Sequence, residues 1–328
     1  MEKTHVVEVC FKTMELTHQS SPIPTSLTYI ICSLSVPLSC NGLLMCIKSI
    51  KVPCEQRRCY IYNPSTDQLA ILPRLPGIWV DYIGLAFDPS KSPHYKVIAF
   101  VPTFSPDDEV GVRFHIYSSK TKTWRVCVQS FALGADMYFD RGIYWKGCVH
   151  WLSIHDIKYE LASDVPDGLY FLFDAKNIPK ASYLSGVHLE RSFYFGESED
   201  HLHFTEVCPR STSISVYEMK SNYSEWFLKY QIDLAPISKA FPEMTGYKAF
   251  GFKYNYAVEL LSVVRRENFE EDSFLVLGVP GKILRYNLVD GNFDLLWDFV
   301  VDFAVENVDW GDYRQLKAWQ YIETLSCV

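Results

Sequence analysis

No stretch of this sequence is apolar for long enough to cross a membrane as a helix. The longest apolar tract near the amino terminus, residues 27–38 (LTYIICSLSVPL), holds 12 residues broken by serine, against the ~20 that a spanning helix requires. No secretory leader is legible either, because Glu2, Lys3 and Glu8 fall where its apolar centre belongs. Positive charge is scarce: 31 Lys and Arg against 39 Asp and Glu leave a net charge of −8 and a pI near 5.6. That is the wrong sign for gripping phosphate backbones, so nucleic acid is excluded as a primary partner. The 10 cysteines contain no C-x-x-C and no paired finger spacing, which removes a zinc framework. They read as reduced, mostly buried thiols of an intracellular protein, cytoplasmic or nuclear. Catalytic signatures are missing too, with no G-x-S-x-G, no H-E-x-x-H and no complete phosphate loop. Gly278-Val279-Pro280-Gly281-Lys282-Ile283 imitates the end of such a loop, but Pro280 lacks an amide donor and neither Ser nor Thr follows Lys282.

What is present describes a folded all-β chain. Hydrophobic residues reach 48% and charged residues only 21%, which excludes disorder as the main state. Aromatics at 15% favour pleated, half-buried surfaces over helix bundles. Apolar and polar residues alternate in Ser213-Ile214-Ser215-Val216-Tyr217, in His201-Leu202-His203-Phe204-Thr205 and from Lys282 to Leu288, the pattern of strands with one wetter face. Turn clusters such as Asn63-Pro64-Ser65-Thr66, Asp88-Pro89-Ser90, Ser118-Ser119-Lys120-Thr121 and Asp290-Gly291-Asn292 separate them. Residues 256–266 (YAVELLSVVRR) tempt a helix assignment, yet their paired apolar residues and valines predict a buried strand.

One pattern recurs: an aromatic ending a strand, a short polar turn, then a bulky apolar residue opening the next strand. It runs Tyr62 to Leu69, Tyr117 to Trp124, Tyr286 to Phe293 and, with two residues inserted, Tyr217 to Trp226; Phe173 begins a degenerate copy. The leading aromatics at 62, 117, 173, 217 and 286 have a mean spacing of 56 residues. That is near the ~50 of a kelch-type propeller blade. Dividing the chain by that period predicts a closed, kelch-like β-propeller of about six blades. The stretch Gly142-Ile143-Tyr144-Trp145-Lys146-Gly147-Cys148-Val149-His150-Trp151-Leu152 predicts two short strands joined at Lys146-Gly147, with Trp145 and Trp151 as packing residues.

Candidate chemistry is thin. His201 and His203 share an i, i+2 spacing that a metal needs, but no third ligand has matching spacing, so the pair reads as a solvated strand face opposite Leu202 and Phe204. Acidic clusters at Asp107-Asp108-Glu109, at residues 197–200 and at Glu270-Glu271-Asp272 lie in turn-like sequence and read as solvated loops rather than a glycosidase pair. Cys148 and His150 lie on one predicted strand with no orienting third group, and read as packing. No residue is assigned as catalytic, cofactor-binding or metal-binding, no cofactor is expected, and the target-binding residues are unknown.

Ser39-Cys40-Asn41-Gly42-Leu43-Leu44-Met45-Cys46, then Tyr62-Asn63-Pro64-Ser65-Thr66 with Leu72-Pro73, then Gly84-Leu85-Ala86-Phe87-Asp88-Pro89-Ser90 with His94-Tyr95-Lys96-Val97, stand in an order that resembles plant F-box proteins. Ile116-Tyr117-Ser118-Ser119, Trp124-Arg125, the Gly142 to Trp151 stretch, Tyr217-Glu218-Met219-Lys220 and Pro280-Gly281-Lys282-Ile283 continue the likeness over roughly residues 39–300. The resemblance is to their kelch-like F-box-associated propeller. It implies a substrate receptor of an SCF-type ubiquitin ligase, whose propeller presents an unknown target protein on blade-edge loops. Residues 1–38 carry Pro22, Pro24, Pro37 and Ser-Thr clusters, and no F-box is recognisable in them. The expected division is therefore 1–38, an atypical amino-terminal segment, and 39–328, the propeller, with a Skp-type adaptor and cullin as partners only if an F-box is supplied. No membrane partner is expected. The competing readings are a propeller glycosidase, and an interaction scaffold that binds without delivering ubiquitin.

Overall fold

The computed structural model describes residues 6–9, 35–52, 54–75, 83–104, 110–133, 142–153, 170–174, 192–207, 211–245, 248–249, 252–253, 256–266, 273–298, 318–321 and 324–328. The chain forms two compact units, residues 1–175 with 320–328, and residues 176–319.

In the first unit, Ser35–Cys40, Leu43–Val52, Cys54–Asn63 and Gln68–Ile71 form one four-stranded antiparallel blade. Ile83–Ala86, Lys96–Phe104, Val110–Ser118 and Thr123–Leu133 form the next. A three-stranded sheet follows, in which Ile143–Trp145 pairs antiparallel with Cys148–Ser153, and Tyr170–Asp174 joins in parallel. In the second unit, Ser192–Ser198, His201–Val207, Ser213–Met219 and Trp226–Asp233 make one blade. Glu259–Val264, Phe274–Val279, Lys282–Asn287 and Phe293–Asp298 make another. The fold is an all-β propeller, as the alternation predicts, and the 256–266 stretch holds a strand.

The recurring aromatic has a definite place in this fold: Tyr62, Tyr117, Phe173, Tyr217 and Tyr286 all lie on the third strand of their sheets. Its apolar companion opens the fourth strand directly opposite, in the cross-strand pairs Tyr62 with Leu69, Tyr117 with Trp124 and Tyr286 with Phe293. Where two residues are inserted, Trp226 pairs with Met219 instead. The repeat is thus a bulky apolar pair, aromatic on at least one side, across the outer hairpin of each four-stranded blade, a unit of sheet stabilisation. The turns close on side chains. Asn63 Oδ1 accepts from the Ser65 amide, Asp88 Oδ1 from Ser90 and Asn287 Oδ1 from Val289.

The blade number differs from the expected six. Among the described residues there are four complete four-stranded blades and the one three-stranded sheet. A mean period counts chain, and connections carry chain without adding blades. Between residues 233 and 259 lie a short helix, Ala235–Ala240, a 3-10 turn, Pro242–Met244, and a two-residue pairing of Lys248–Ala249 with Phe252–Lys253.

Each unit has its own core. The first is built on Leu43, Met45, Ile61, Ile83, Leu85 and Val97, the second on Ile214, Val216, Leu260, Leu275, Leu277 and Leu284. Within the first unit the 83–133 blade meets the 143–174 sheet with no room to spare. The Gly142 amide donates to Ile83 O at 3.2 Å, and a Cβ on Gly142 would stand 2.5 Å from both the Trp151 ring and the Val149 side chain. A Cβ on Gly84 would stand 2.4 Å from Val149. Two glycines therefore admit an indole, and Trp151 is fully buried. The hairpin beside it turns at Lys146 and Gly147, with φ of 48° and 87°, as a two-residue loop demands. The last residues return to the first blade: Asn63 Nδ2 donates to Thr324 O at 3.0 Å and Ser326 O at 2.7 Å, and the Val328 amide donates to Gln68 Oε1.

Candidate functional site

A close group of titratable side chains lies in the second unit, where the 192–233 and 259–298 blades meet. His203 and Glu218 are cross-strand partners on the second and third strands of one blade. Arg265 follows the first strand of the other blade and reaches across. Glu218 Oε1 lies 3.0 Å from His201 Nδ1, and its Oε2 accepts from Arg265 Nη1 at 3.1 Å. His203 Nε2 stands 3.4 Å from the same Oε2. That contact lacks hydrogen-bond alignment, and both ring nitrogens of His203 are buried without a hydrogen-bond partner. His203, Glu218 and Arg265 are all buried, whereas His201 keeps 27% of its side chain exposed.

Backbone groups complete the junction. The Arg265 amide donates to Ser198 Oγ at 2.8 Å, and the Val263 amide donates to Tyr194 Oη at 3.1 Å. The open side of strand Glu259–Val264 thus finds its acceptors in hydroxyls of the neighbouring blade, where bare edge amides in a dry place would be costly. Burial by itself would push the Glu218 carboxyl up; the hydrogen bond from His201, the contact with His203 and the Arg265 guanidinium outweigh it and hold the group far below the usual carboxylate range. Burial pushes the His203 imidazole down, against the pull of Glu218 and with the help of His201 and Arg265. Burial also pushes Tyr194 up to about 12.

This is a held ion pair with two imidazoles, a structural arrangement. No group of three His, Cys, Asp or Glu among the described residues has the geometry to hold a metal ion. The expectation that His201 and His203 form a solvated face fails for His203, which is fully buried, as are Leu202 and Phe204 on the opposite face. Strand alternation identified the polar side correctly. What it could not show is that Arg265, 47 residues beyond Glu218, seals that side from the next blade.

Other sequence candidates also resolve into structure. Burial raises the Cys148 thiol and lowers His150 to about 4, the reverse of an activated thiolate and its base. His150 instead lies against Trp145, ring centroids 5.4 Å apart. Trp145 and Trp151 are both buried, as packing residues should be. Lys282 pairs with Glu243 at 3.2 Å and Asp298 at 3.5 Å on a strand, so the phosphate-loop likeness is accidental. Glu197 Oε1 accepts from the Asp200 amide, closing a turn in which Glu199 and Asp200 both have positive φ, 50° and 59°. The clusters at 107–109 and 270–272 lie outside the described residues. No described helix is long and apolar enough to cross a membrane.

With the geometry in place, the family model of the F-box associated beta propeller domain matches residues 3–174. The chain is similar to F-box protein At5g07610 of Arabidopsis thaliana, at 30% identity over 330 residues, 94% of this chain and 74% of that protein. It is also similar to F-box protein At3g08750 of the same plant, at 25% identity over 118 residues, 35% of this chain and 30% of that protein. Among solved structures it aligns with a prolyl endopeptidase at a TM-score of 0.35 and 12% identity, over 80% of this chain and 36% of that one. A likeness at that level says nothing about activity.

Proposed function

The chain belongs to the F-box associated beta-propeller family, and from that premise we propose that it is a target-recognition module of the SCF ubiquitin-ligase type, acting by binding and without turnover of its own. The observation that carries this reading is the family match together with its extent over a named F-box protein. The chemistry of the described residues agrees with it: the buried Glu218 cluster ties blades together, and the Cys148 and His150 pair is tuned away from nucleophilic work.

In this proposal residues 39–328, together with the start of the strand Ser35–Cys40 that opens the first blade, form the propeller, kelch-like in blade period, and its blade-edge loops hold the target protein. Residues 1–38 supply no adaptor contact, so a Skp-type adaptor and its cullin engage only where an F-box is provided. The site of action is intracellular, in cytoplasm or nucleus. The adaptor part is tested by co-purification: the chain as given fails to retain recombinant adaptor, and fusion of an F-box ahead of the first blade, which opens at Ser35, restores a saturable complex. Saturable binding by the unfused chain would overturn that division. The binding reading is tested by assaying the purified chain on chromogenic glycosides. Hydrolysis that disappears on changing one acidic residue would contradict it.

A further inference from the structure

Three side chains from two blades converge on the buried carboxylate of Glu218. Glu218 receives Arg265 at 3.1 Å on one oxygen and His201 at 3.0 Å on the other. The fourth member, His203, is fully buried; its Nε2 stands 3.4 Å from the oxygen that Arg265 already holds, and neither ring nitrogen has an aligned hydrogen-bond partner. Buried polar atoms are satisfied in the great majority of cases, and an orphaned imidazole calls for an explanation.

We propose that this cluster is a proton-operated clasp, in which proton uptake at His203 parts strand Glu259–Val264 from strand Ser192–Ser198. The groups facing His203 set the direction. On its own strand stands His201, on the third strand Glu218, and from the next blade Arg265; Ser198, Tyr194 and Glu197 line the first strand. The single carboxylate is already shared between a guanidinium and an imidazole, so a cation at the fully buried His203 has no unshared counter-charge and no exposure to solvent. It becomes tolerable only when the blades part and the ring is hydrated. The ties broken in parting are the Arg265 amide to Ser198, the Val263 amide to Tyr194 and the Arg265 side chain to Glu218.

The sign follows from burial. The closed form holds His203 neutral below its ordinary value, while the open form takes up a proton near pH 6.5. Opening is therefore unaffected at pH 7.5 and becomes about tenfold more populated by pH 5.5. Amide hydrogen exchange on the full chain reads this directly. Protection factors of the Val263 and Arg265 amides are expected to fall about tenfold between those two pH values, while those of Leu275 and Leu277, in the middle of the same blade, hold. In H203Q, which keeps a polar ring-sized group but cannot take up the proton, the fall disappears; in H201Q it persists. Equal protection at both pH values in the native chain, or an undiminished fall in H203Q, would overturn the clasp. Should H203Q fold poorly, the His203 ring can be followed by NMR in the unmodified protein: titration at or above pH 6.5 in the closed form would equally overturn it.

Discussion

The two blade junctions described above solve one problem with opposite chemistry. In the first unit, the 83–133 blade and the 143–174 sheet close on Gly84, Gly142, Val149 and Trp151, a dry contact governed by shape. In the second, the 192–233 and 259–298 blades close on Tyr194, Ser198, Glu218 and Arg265, a contact governed by hydrogen bonds and charge. A propeller's layout requires only that neighbouring sheets meet face to face. It does not dictate how. The dry junction is intolerant of volume and indifferent to protons, while the polar one tolerates some change of volume and is sensitive to any change of charge or hydrogen bonding.

Substitutions separate the two. The largest effect is expected from Trp151→Ala, which removes a fully buried indole from the dry junction and should lower unfolding free energy by ~4 kcal/mol in urea melts. Gly142→Ala follows. Its Cβ would meet the Trp151 ring and Val149 at 2.5 Å, so overpacking should cost ~3 kcal/mol with no change in the response to pH. In the polar junction Glu218→Gln keeps the shape but removes the charge that holds Arg265, for an expected loss of ~2 kcal/mol. The smallest effect has the opposite sign. The hairpin at Glu199 and Asp200 makes a two-residue turn with no glycine, where the hairpin at Lys146 and Gly147 has one; Asp200→Gly should therefore stabilise by ~1 kcal/mol, read as a raised melting temperature.

The dry junction is open to sequence reading only in its local part, the 142–152 hairpin; its contact with Gly84 on the neighbouring blade is not. The Gly142 to Leu152 hairpin, its turn and its two tryptophans could be placed from spacing alone, and so could the aromatic that ends each third strand. The polar junction could not. Tyr194, Ser198, Glu218 and Arg265 are ordinary residues on ordinary strands, and they become a cluster only through the register that sets His203 opposite Glu218 and the blade contact that brings Arg265 alongside. A period of two marks a polar face without saying whether water or another blade covers it. The blade number differs among the described residues because dividing the whole length by the spacing counts every residue as blade, including connections such as 234–258 that add no four-stranded sheet.

The claim that the two junctions rest on different physics is tested most directly by unfolding free energy as a function of pH, from 8 to 5, for the native chain, G142A and H203Q. His203 is held neutral by burial, so the unfolded chain binds more protons below pH ~6.5 and stability must fall as pH falls, by up to ~1.4 kcal/mol per pH unit from this one group. His150, lowered by burial to about 4, adds an acid loss of its own that all three chains share, so the differences between curves carry the information. The account predicts that G142A runs parallel to the native curve and below it, while H203Q flattens the acid limb. A flattened limb in G142A, or an H203Q curve parallel to the native one, would contradict it.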